Sequence, residues 1–161
     1  MSAQSAHMAP RADQLDAVNK ALLPVIRHFL NAFLDPQTLG WRAALATAAG
    51  TWGEARGLAI ANAVQAFLSA VLNSRPVPLV YCNPLDLDAR AGLTLDEVDL
   101  LALIAMMRAD KTPQSREIIA RLTGGSIRAS VVRTGLSLAM LLDPSGDKPA
   151  VNKRPSLRCV T

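Results

Sequence analysis

Apolar residues return at steps of three and four along most of the chain, the repeat that gives an α-helix one buried stripe. The first such stretch begins near Asp13. Leu15, Val18, Leu22, Val25 or Ile26, Phe29 and Phe33 share a face, while Lys20, Arg27 and Asn31 fall elsewhere on the wheel. Pro24 removes a backbone donor and crowds the turn before it, so a kink or a division is expected there. Asp35-Pro36 ends the element. A shorter helix is predicted from Thr38 to about Ala49, with Leu39, Trp41 or Arg42 and Leu45 on one side. Gly50, Gly53 and Gly57 then interrupt the pattern, as a turn or a close helix crossing would. From Glu54 to Asn73 the chain is apolar around most of the wheel, and Asn62, Gln65 and Ser69 align on its one polar face. Such a helix belongs at the centre of a bundle.

Pro76, Pro78 and Pro84 preclude a helix in the next segment. An extended connection is expected, with Pro78 to Cys82 as a short strand or a cover over the core. Thr94-Leu95-Asp96-Glu97 has the form of a capping box, in which the Thr94 hydroxyl and the Glu97 carboxylate satisfy each other's amides. The helix it opens runs to about Arg108, and Asp96, Glu97 and Asp99 suit the positive end of its dipole. Thr112 as N-cap and Pro113 at the first helical position open another, which carries Ile118, Ile119 and Leu122 inward and stops at Gly124-Gly125. Ser126 is expected to cap a last helix, ending at Asp143-Pro144. The pattern therefore predicts an all-α, single-domain bundle of about six helices over residues 13–143. A disordered N-terminus (1–12) and a flexible basic tail (144–161) flank it.

Composition supports the helices over strands. Half of the 161 residues are apolar, but aromatics make up only 4%, and the dominant Ala and Leu are good helix formers. The net charge of +4 is unevenly spread. Pro76 to Met107 holds Arg90 against Asp86, Asp88, Asp96, Glu97 and Asp99, whereas Arg108 to Arg133 holds six cations against Asp110 and Glu117. A basic patch of that kind suits nucleic acid or an acidic partner.

Catalytic and metal chemistry find little support. Cys82 and Cys159 lie far apart, and with only His7 and His28 no zinc spacing exists. A reducing, cytoplasmic setting is expected. The N-terminus lacks the apolar core of a secretory signal, and the longest apolar stretches are broken by Asn62, Gln65 and Ser69 or too short, so no membrane partner is expected. His28 has no identifiable nucleophile or orienting group, and the glycines at 50, 53 and 57 match no phosphate loop. Asp86 to Glu97 superficially resembles a calcium loop. Arg90 and Ala91 occupy positions that need a ligand and a glycine, and the capping box explains Thr94 and Glu97 without an ion. No enzyme activity, cofactor or metal is expected.

Two readings of function remain. The leading one is a non-catalytic helical regulatory or adaptor protein that binds another protein chain, a second copy of itself included, through a groove between helices. The alternative is a helix-turn-helix DNA-binding regulator built on residues 113–142. In that reading Ala120, Gly124 and Ser126 supply the small residue, the turn and the cap. Arg116 and Arg121 project from the first helix, Arg128 and Arg133 from the second, to phosphates and base edges. Gly125 stands where an apolar residue would anchor that turn, and the second helix becomes strongly apolar after Arg133.

Overall fold

The computed structural model describes residues 11–143. Six α-helices pack as a bundle: α1 (Ala17–Leu34), α2 (Gly40–Trp52), α3 (Glu54–Leu72), α4 (Leu95–Arg108), α5 (Thr112–Thr123) and α6 (Ala129–Leu142). Among the described residues there are no strands, only an isolated bridge between Arg11 and Gly92. The expected tail at 144–161, with Cys159, lies outside the described residues. So does the expected N-terminal arm, except for Arg11 in that bridge and Ala12 in a short 3-10 turn, Ala12–Gln14.

Packing order departs from chain order. α1 lies on α2, α2 on α3 and α3 on α6, while α4 carries both α5 and α6. α3 buries Ile60, Val64, Phe67, Leu68 and Val71 completely and turns Asn62 and Gln65 outward, in keeping with its polar stripe. At 19 residues and a mean hydropathy of 1.4, it is long and apolar enough to cross a membrane by length and composition alone. Its apolar side is covered by α2, α6 and α1.

Several local expectations are corrected. Pro24 does not divide α1, which runs unbroken from Ala17 to Leu34 with Asp16 as its N-cap. The proline deprives only the Lys20 carbonyl of its helical donor, and burial of Leu22, Leu23, Val25 and Ile26 holds both halves on one core. Arg27 and Asn31, read as outward-facing, are buried. The second helix starts at Gly40 and continues through Gly50 to Trp52. Gly53, at φ +81°, makes the turn into α3. Lys111 rather than Thr112 precedes α5, and α6 begins after Arg128 without a side-chain cap. Ser126 instead offers its carbonyl to the Thr123 hydroxyl, two residues before the cap position.

Gly57 is a packing glycine. A Cβ there would lie 2.6 Å from the Ala48 carbonyl carbon and 2.7 Å from Ala49 Cα, both backbone atoms that cannot swing aside. Gly40 is pressed in the same way on the His28 carbonyl of α1. Gly50 has open space around its Cα. Gly57→Ala is therefore expected to cost about 1–3 kcal/mol through overpacking, while Gly50→Ala gains about 0.5–1 kcal/mol from helix propensity. Thermal denaturation of the two variants against the parent checks the opposite signs.

Candidate binding site

The connection from α3 to α4 runs as an extended strap across the ends of α1, α4 and α5. It forms no ladder, so side chains satisfy its backbone. Arg75 donates to the carbonyls of Leu122 and Val77 and to Asp96 at 3.2 Å. Asp96 accepts from the Val80 amide at 2.7 Å, and the Thr94 hydroxyl donates to the Val80 carbonyl. Further along, the Tyr81 hydroxyl donates to Asn31 and the Asn31 amide to Asn83.

At the strap's centre lies a buried ion pair. Arg27 of α1 donates through Nε and Nη2 to the two carboxylate oxygens of Glu97 on α4, at 2.6 and 3.0 Å. The same guanidinium holds the carbonyls of Arg90 (2.7 Å) and Gly92 (2.6 Å), and the same carboxylate accepts from the amides of Cys82 and Thr94. Both side chains are almost wholly buried. The capping box at Thr94 forms as the spacing predicts, but its Glu97 also receives a cation from 70 residues away. Burial, and then the Glu97 carboxylate beside it, push the Cys82 thiol above its ordinary value, which keeps it protonated.

Beside this pair opens a cavity of about 530 Å³, walled by α1 between Lys20 and His28, the Ala12–Gln14 turn and the strap near Arg90. Arg11, Lys20, Arg27, His28 and Arg90 line it together with Asp13, and Leu23, Pro24 and Pro84 form its apolar side. His28 is half-buried, and burial lowers its imidazole below the ordinary 6.5. Sequence reasoning missed this site because its cations come from segments some 60 residues apart, each read alone as a solvated charge.

A second, smaller groove of about 80 Å³ lies between α5 and α6 at the end of α4, with Met107, Ile119, Val132 and Leu136 along its walls. Val132, Leu136 and Met140 recur every four residues and so form one stripe on α6. Leu136 is 44% exposed and Met140 75%. Behind the groove Gly135, with no Cβ, lets Met107 approach α6 beside Phe67.

No family model, curated protein or solved structure matches this chain. The arrangement of its side chains is therefore the basis for any functional reading. Arg116, Arg121, Arg128 and Arg133 are all exposed. Arg121 is held by Asp99 of α4 at 2.6 and 3.2 Å, and α5 packs on α4 and α6 on α3 and α4 rather than on each other. Asp86 accepts from the amides of Asp88 and Ala89 in its own turn. Among the described residues no three His, Cys, Asp or Glu side chains gather as a metal site.

Two outcomes follow from the buried pair and its neighbour. Glu97→Gln is expected to cost about 3–5 kcal/mol, because it leaves the Arg27 charge uncompensated away from water. Replacing both residues with methionine does not recover that loss, since four strap backbone groups lose their partners as well; chemical denaturation of the single and double variants measures it. For His28, the unfolded chain takes up a proton at a higher pH than the folded one. Stability therefore falls as pH drops from 6.5 through the lowered folded value, and His28→Gln removes that component from a pH series of unfolding curves.

Proposed function

We propose that this chain is a non-catalytic helical regulatory or adaptor protein that acts by binding another protein chain through the groove between α5 and α6. The observation that carries the reading is the α6 stripe, in which Leu136 and Met140 stay exposed beside a small apolar depression. A depression of about 80 Å³ takes one apolar side chain, the arrangement in which a few anchors supply most of the binding energy. Met107 in its wall suits it, because an unbranched thioether chain adapts its shape to a partner.

DNA binding by the α5–α6 pair is the second reading. Its support is that Arg116, Arg128 and Arg133 are exposed and make no ion pair among the described residues. Against it, the Asp99 carboxylate already occupies Arg121, and the two helices lack the mutual packing that presents a recognition helix rigidly.

Copurification from native extract with parent and Leu136→Glu/Met140→Glu protein, alongside sedimentation velocity, separates the readings. The adaptor reading expects a partner, or a second copy, that the parent retains and the double variant loses at unchanged helicity. Equal recovery with both proteins and a monomer throughout would overturn it. Retention on duplex DNA that weakens with salt and with Arg128→Ala and Arg133→Ala would replace it with the second reading.

A further inference from the structure

The lining of the cavity beside the buried ion pair carries more positive than negative charge. Arg27 is balanced by Glu97, and Arg11 shares Asp13 at 3.4 Å. The side chains of Lys20 and Arg90 make no hydrogen bond or ion pair among the described residues, so Arg11, Lys20 and Arg90 against Asp13 leave a charge of +2 on the lining. The low basicity of His28 adds nothing to that sum at neutral pH.

Hydrogen-bonding capacity is also left over. A guanidinium has five N–H groups, and Arg27 uses four, on Glu97 twice and on the Arg90 and Gly92 carbonyls. One Nη1 donor therefore remains on a side chain that is only 4% exposed and lines the cavity. Leu23, Pro24 and Pro84 give the cavity an apolar side, and its volume falls in the range of small-molecule pockets. No Phe, Tyr or Trp lines it, so a stacked base has no platform.

We infer that this cavity binds a small phosphate monoester, its doubly charged head between Lys20 and Arg90 and its apolar body against Leu23, Pro24 and Pro84. A phosphate monoester carries close to two negative charges and three acceptor oxygens, which matches the uncompensated charge and the spare donors better than a monocarboxylate does. The role is distinct from the α5–α6 groove, which lies at another part of the bundle and shares none of these residues.

Phenyl phosphate serves as the probe, with inorganic phosphate and benzoate as comparison arms, each titrated into the full-length protein and followed by amide chemical shifts. Phenyl phosphate is expected to shift amides from Lys20 to His28 and at Arg90 and Ala91 in a saturable way, more tightly than either comparison compound. Lys20→Glu and Arg90→Glu should each weaken it about tenfold or more, because each reverses a charge beside the head group. Neither substitution touches a side chain that holds the strap, so helicity by circular dichroism stays unchanged. Arg116→Glu, far from the cavity, leaves binding as it was. Absence of a saturable shift, persistence of the shift in both charge-reversed variants, or equal binding of inorganic phosphate or benzoate would each overturn the inference.

Discussion

The fold is organised around one ion pair withdrawn from water. Arg27 and Glu97 sit on helices that make little direct contact with each other, and between them they hold four backbone groups of the strap. A buried charge pair seldom stabilises a protein relative to well-packed apolar residues. This one has a different task, because a strap with prolines and no ladder needs donors and acceptors that only side chains can supply. The guanidinium reads carbonyls on one side of the strap and the carboxylate reads amides on the other. Together they fix where the connection crosses the bundle and so define the wall of the larger cavity.

The same contacts redistribute the protein's charge. Along the chain, the acidic segment from Asp86 to Asp99 and the basic segment from Arg108 to Arg133 look like separate patches. In space, Asp96 meets Arg75, Glu97 meets Arg27 and Asp99 meets Arg121. Much of the apparent asymmetry is thereby spent inside the structure. Among the described residues, cations without an ion pair include Lys20 and Arg90 at the cavity and Arg116, Arg128 and Arg133 along α5 and α6.

Close approach of helices is the second constraint. Gly40 and Gly57 let α2 settle directly on the backbones of α1 and α3, and Gly135 lets Met107 lie between α4 and α6. An Ala- and Leu-rich composition with few aromatics suits this geometry, since small side chains permit short distances between axes. The cost appears at α6. There, Leu136 and Met140 remain uncovered because α5 docks on α4 instead of closing over α6.

The sequence by itself determined the helices, because the three-to-four spacing of apolar residues and the Thr94 capping box are local features that each segment carries alone. The polar face of α3, the break at Gly53 and the extended strap were legible for the same reason. Tertiary structure alone decided that Pro24 is carried inside one helix, since burial on both sides of it outweighs one lost backbone bond. It also decided that Arg27 turns inward, because its partner stands 70 residues away and no periodicity encodes that distance. The cavity and the α5–α6 groove belong to the same class. Each is formed by surfaces from different segments, so its shape and charge exist only once long-range packing has brought them together.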